Sequence, residues 1–161
     1  MVRKTALSLG GSLNAQSCYL LERSLKTLSL RVQRQTDNAG MLASFLAGHH
    51  HVSSVCYPGL PDAPGHEIAK SQMSGFGAML AFETDLKTGT AHEFMGRLAL
   101  IKPAMSLGGI ESTICDPAST SHRNVATEVR NRQGISDRLM RMSVGIEDAE
   151  DLIADLAQAL G

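Results

Sequence analysis

Two stretches of this 161-residue chain carry a glycine pair behind Ser-Leu: Ser106-Leu-Gly-Gly-Ile-Glu-Ser112, and Ser8-Leu-Gly-Gly11 near the start. The chemistry they first suggest is a backbone cradle for phosphate. A dinucleotide fingerprint, however, needs G-x-G-x-x-G between a strand and a helix, and a P-loop needs Lys-Ser or Lys-Thr after its last glycine. Neither stretch has either pattern. One recurrence of four common residues also falls short of a repeat, which shows self-similarity at a fixed period of roughly 20 to 50 residues. His66-Glu67 and His92-Glu93 each begin like the zinc-protease H-E-x-x-H, but four residues beyond the histidine stands Lys70 or Gly96, so the second ligand is absent. His49-His50-His51 has the right side chains for a metal, yet it follows Leu46-Ala-Gly48, where a helix is expected to end and where histidine is electrostatically favoured. Cys18, Cys56 and Cys115 are odd in number and widely spaced; they read as buried thiols rather than as a disulfide framework or a zinc site.

Composition narrows the field further. The length suits one domain, long enough to bury a sizeable core. A net charge of -1, with ten arginines and five lysines scattered along the chain, provides no basic field for nucleic acid. The apolar runs are too short to span a bilayer, for which roughly 18 residues are needed, and the first residues lack a full signal-peptide core. The expectation is a soluble, cytoplasmic protein.

The elements that must position any site follow from periodicity. From about residue 14 to 48, apolar residues recur at near-helical spacing with no proline, and Asn14 suits an N-cap. This reads either as one long N-terminal helix, of a length that often packs on a partner, or as two helices broken near Leu30. A body over 52–161 follows. Val52 to Tyr57 alternates like a strand, and the prolines of 58–65 forbid regular structure. Strands are expected at Ala78 to Phe82, Ser112 to Cys115 and Leu139 to Val144. Helices are expected from about Gly89 to Leu100 and from Glu147 to Leu160, the latter with acids in its first turn. The whole is an α/β (α+β) domain, a small sheet with helices laid on it.

Several stretches, taken in order, resemble the C-terminal part of the pyridoxal-phosphate enzymes of cysteine and methionine metabolism, the trans-sulfuration family of cystathionine synthases and lyases and methionine γ-lyase. They are Leu20 to Leu28 with Leu30-Arg31 and Asn38-Ala39; Val55 to Pro61 with Pro64-Gly-His66; Gln72-Met-Ser-Gly-Phe-Gly77; Ser106 to Ser112; Pro117-Ala-Ser119 with His122; and Gly134 to Asp148. Ser24 stands where that family usually has glycine, and Cys115-Asp116 departs from its usual residues before Pro117. The resemblance implies a mostly antiparallel sheet covered by helices, the small domain of fold-type I enzymes. It also implies that Arg141, Ser106 and Leu107 bind the substrate's α-carboxylate, with Glu111 as a possible determinant of specificity. A planar guanidinium suits that task, because two parallel charge-assisted hydrogen bonds fix a carboxylate's orientation as well as its place. Alternation along the strand would otherwise put Arg141 simply on a solvated face. His122 reads as a hydrogen-bonded structural residue.

The same resemblance implies pyridoxal phosphate as the parent cofactor and elimination or replacement at the β or γ carbon of a sulfur amino acid or an activated homoserine. Lys4, Lys26, Lys70, Lys87 and Lys102 do not stand in a context like that of the family's cofactor lysine. The chain is therefore expected to lack the large cofactor-binding domain and to be inactive alone. Its expected partners are a second copy or such a large domain; the competing reading is a non-catalytic binding module of the same descent.

Overall fold

The computed structural model describes residues 2, 3, 5, 10, 13–85 and 89–161. All but Gly10 of the second Ser-Leu-Gly-Gly stretch, together with Lys4 and Lys87, lie outside them. By their contacts, the described residues fall into two units, divided between Arg31 and Val32.

The first unit carries helix α1 (Ala15–Leu25) and the opening turn of α2 (Leu28–Gly48). Asn14 caps α1, its Oδ1 accepting from the Ser17 amide at 2.8 Å, as its residue type predicts. The chain turns at Lys26–Thr27, where Arg31 Nη2 donates to the Ser24 carbonyl at 2.7 Å. The interruption thus falls a few residues before Leu30. None of the residues of α1 is buried, including Tyr19, Leu20, Leu21 and Leu25.

The second unit is a five-stranded sheet under helices. Its strands are β1 (Val52–Cys56), β2 (Met79–Thr84), β3 (Lys102–Pro103), β4 (Thr113–Cys115) and β5 (Leu139–Ser143), in the order β1-β2-β5-β4-β3. All neighbours are antiparallel except β3 and β4. Helices α3 (His66–Gln72), α4 (Ala91–Arg97), α5 (Thr127–Arg132) and α6 (Ala149–Leu160) complete it. This is the mostly antiparallel α/β architecture that the sequence predicts.

Period-two alternation sorts the two faces of the sheet. Leu80 and Phe82 of β2, Met140 and Met142 of β5 and Ile114 of β4 point into one core, where Leu42 and Leu46 of α2, Phe94 of α4 and Leu152 and Leu156 of α6 cover them. The other face carries a row across three strands, Ala81, Arg141 and Cys115, set side by side by the pairing register.

Two expectations need correction. Cys18 and Cys56 are exposed, and Cys115 alone of the three thiols is buried, because Cys18 lies on a helix without a buried face and Cys56 on an edge strand. The helix expected from Gly89 to Leu100 is Ala91–Arg97, opened by a capping box between Thr90 and Glu93. It stops early because the amides of Ala99, Leu100 and Ile101 donate instead to the Asp155 carboxylate. Pro103 lies in the edge strand β3, where a missing N–H is tolerated.

Candidate functional site

The residues that could engage a ligand meet at the centre of the sheet's second face. Arg141 stands on β5 between Met140 and Met142, whose burial in the core anchors the strand and turns the arginine away from it. Its neighbours in the row are Ala81 and Cys115, both short enough to leave room for a guanidinium. Nη2 donates to the carbonyls of Met105 at 2.8 Å and Ser106 at 3.3 Å. Nε is buried with no partner among the described residues, which in a cation is a strong incentive to take up an acceptor.

The loop of residues 105–111 closes over this arginine. Every one of those residues is exposed, so its shape is set by hydrogen bonds rather than by burial. Gly108, at φ +74°, holds a left-handed conformation that favours glycine, and its amide donates to Ser143 Oγ at 2.9 Å. Gln35 of α2 donates to the Gly109 carbonyl at 2.6 Å. The Ile146 amide donates to the Ile110 carbonyl at 2.9 Å, and Thr113 Oγ1 donates to the Ser106 carbonyl at 2.9 Å. Beyond the loop's start lies a cavity of about 230 Å³, lined by Met95, Pro103, Met105, Ile114, Cys115 and Asp116 among others.

Of the expected site residues, Arg141 and Ser106 are brought into direct contact. Leu107 is in the same loop and 59% exposed. Glu111 is exposed and folds back over Gly109 rather than toward Arg141: a Cβ built on Gly109 would lie 3.3 Å from its Oε2. His122 is tied to Ser121 Oγ and, through its amide, to the Pro117 carbonyl. Of the three neighbouring histidines, His49 stacks on His50 and lies tilted against Phe45, and His50 lies tilted against His51. No group of three metal-ligating side chains occurs among the described residues.

Sequence reasoning singled out neither Gln35, Ser143 and Ser112 nor Gly145 and Glu147, yet these residues fix the loop. Gly145 is the tightest point. A Cβ there would fall on the Ile110 carbonyl oxygen and 2.7 Å from the Glu111 carbonyl carbon, and neither backbone atom can rotate away. Gly145→Ala is expected to lower stability by about 2 kcal/mol or more through overpacking and to push residues 110–111 outward. Thermal denaturation and the amide shifts of Gly108 and Gly109 report both effects; an unchanged spectrum would show that the approach is looser than drawn.

The described lysines do not fit a covalent pyridoxal phosphate. Lys26 pairs with Glu22, Lys70 with Glu67, and Lys102 Nζ donates to the Ala99 carbonyl; all three are exposed, and each makes its contact within its own stretch of chain. No step through that group is assigned to this chain's residues.

The chain matches known proteins over its whole length. The family model described as Cys/Met metabolism PLP-dependent enzyme matches residues 1–161. The chain is 47% identical to cystathionine gamma-synthase 1, chloroplastic, of Arabidopsis thaliana, over 94% of this chain and 27% of that protein. It is 46% identical to cystathionine beta-lyase of Lactococcus lactis, over 95% of this chain and 40% of that one. A solved cystathionine gamma lyase from Micromonospora echinospora superposes with a TM-score of 0.89 at 42% identity, covering 99% of this chain and 42% of that one. The chain therefore spans between about a quarter and two fifths of the length of these relatives. With the whole of its sequence matched and its fold shared, this chain belongs to the pyridoxal-phosphate-dependent enzyme family of cysteine and methionine metabolism.

Proposed function

We propose that this chain is the substrate-clamping small domain of a trans-sulfuration-type enzyme, gripping the α-carboxylate of a sulfur amino acid or an activated homoserine. The observation that carries this reading is the guanidinium of Arg141, set on the sheet's second face beside a glycine loop, with a buried Nε–H that has no partner among the described residues. A carboxylate arriving there meets the Nε–H and competes with the Met105 and Ser106 carbonyls for Nη2, whose hydrogen bonds to them fix the guanidinium plane beforehand. Ser106 and Leu107 contribute the loop main chain, and Glu111 at its rim bears on whether the β or the γ carbon reacts. Orientation is the clamp's contribution to catalysis, because it fixes how the Cα substituents are presented to the reacting group.

The chemistry of the reaction, elimination or replacement at carbon bearing sulfur or an activated oxygen, belongs to a partner that supplies the cofactor and its lysine. That partner is a large domain of the family, and this chain is inactive without it, acting in the cytoplasm. The exposed Tyr19, Leu20, Leu21 and Leu25 of α1 suit burial against such a domain or a second copy. The same residues support a second reading, a non-catalytic module that binds a full-length relative; this reading predicts association without activity.

The test is to incubate the chain with equimolar pyridoxal phosphate, reduce with borohydride and measure the intact mass, with and without a separately made large domain of a relative. The expected result is no adduct on this chain and lyase activity on mixing. A stoichiometric adduct on one lysine of this chain would overturn the reading, and complex formation without activity would favour the binding module.

A further inference from the structure

We infer that Glu147 is a positioning residue for the carboxylate clamp, locking the loop of residues 105–111 beside Arg141 by holding Ser112 at its end; the inference rests on the clamp reading above. Ser112 is fully buried and directs two donors at one carboxylate. Its amide meets Glu147 Oε1 at 2.5 Å and its hydroxyl meets Oε2 at 2.9 Å. The same hydroxyl accepts from the Gly145 amide at 2.9 Å. Hydrogen bonds to an ionised acceptor are roughly twice as strong as neutral ones, so this pair is the firmest tie on a loop that has no buried side chain of its own.

Glu147 is in turn held from behind. Asn38, fully buried on α2, donates through Nδ2 to the main-chain carbonyls of Glu147 at 2.8 Å and Gly145 at 3.1 Å. Gln35, one turn earlier on the same helix, holds the Gly109 carbonyl. One face of α2 therefore grips the loop at Gly109 and, through Glu147, at Ser112. The carbonyls of Met105 and Ser106, which receive Arg141 Nη2, are on the far arm of this loop. Releasing Ser112 lets that arm shift and frees the guanidinium from the plane that the clamp needs.

Truncating Glu147 leaves two buried donors of Ser112 without an acceptor, while the core residues of α2, α6 and the sheet keep their contacts. Glutamine retains one acceptor oxygen but presents an amide to the Ser112 hydroxyl, which already accepts from Gly145. It should rescue the function partly, in the order wild type, Glu147→Gln, Glu147→Ala.

The experiment uses the ¹⁵N-labelled chain with two readouts, amide hydrogen exchange and titration with L-cystathionine followed at the Gly108 and Gly109 amides. In Glu147→Ala, exchange at Gly108, whose own acceptor is Ser143, should quicken about tenfold or more, with Phe82 in the core unchanged. The dissociation constant for L-cystathionine should rise by a similar factor, and glutamine should recover part of both. Acceleration confined to Ser112, or spread equally to Phe82, would overturn the inference, since a merely structural glutamate produces one or the other. If Arg141→Ala binds L-cystathionine like wild type, or if wild type does not bind it, the clamp reading fails. Positioning is then decided by the Gly108 exchange alone. Should Glu147→Ala not fold, Ser112→Ala is read by the same two measures.

Discussion

Arg141→Ala is expected to reduce kcat/KM of the chain combined with a family large domain by about a hundredfold or more, the scale on which truncating one partner of a desolvated charge pair acts. Two losses combine in this variant. On the proposed clamp, the charge that attracts the carboxylate goes, and so does the fork that orients it, which a point charge cannot replace. Arg141→Lys should therefore remain well below wild type, because an ammonium can neutralise the carboxylate but cannot be held in plane by the Met105 and Ser106 carbonyls. The loss should appear in kcat as well as in KM, since orientation matters most in the transition state. Arg138→Ala, which removes an exposed arginine in the turn just before the same strand, serves as the control for net charge and should leave both constants near wild type. Equal activity of Arg141→Ala and wild type would remove the arginine from the site altogether.

Much of the scaffold that presents this arginine was legible in the sequence, and the reasons are local. β5 shows as alternation around Met140 and Met142, and α6 as apolar spacing after an acidic first turn. β2 shows as a short apolar run after glycine punctuation. What escaped was held by distant contacts. Helix α3 opens after Gly65 with no side-chain cap and buries no residue, so it has neither a start signal nor an apolar stripe. β3 is two residues long, one of them proline, and exists because Lys102 and Ala104 donate to the carbonyls of Ser112 and Ile114. The supports of the loop were invisible for the same reason. Gln35 reaches Gly109 across 74 residues and Glu147 reaches Ser112 across 35, and a glutamine on a helix or a glutamate before one has no local mark of such a role. Gly145 carries no turn signature either; the main chain of Ile110 and Glu111 opposite requires it.

Asp155→Ala is expected to destabilise the chain by about 3 to 5 kcal/mol, the range for leaving buried donors unsatisfied around a deleted charge, and to lower the melting temperature by roughly 10 °C or more. The side chain sits on α6 and is nearly buried at 6% exposure. Its two oxygens accept from the amides of Ala99, Leu100 and Ile101 at 2.8, 3.0 and 2.8 Å, and Gln158 adds a further donor. Burial alone would raise its pKa, but the three backbone amides and Gln158 outweigh it and hold the carboxyl below the usual aspartate value. A folded-state pKa below the unfolded one means that the ionised group stabilises the fold. That contribution is complete above the unfolded value of about 4 and fades as pH falls through the folded value. The melting-temperature advantage of wild type over Asp155→Asn should accordingly be flat at neutral pH and shrink below about pH 4. Asparagine is the right comparison because it keeps the shape and one acceptor while removing both charge and titration. An advantage that stayed constant down to pH 2 would mean that the amides are satisfied by geometry alone and not by the charge. A shrinking advantage would assign to one carboxylate both the early end of α4 and the path of the chain into β3, the edge strand from which the loop beside Arg141 departs.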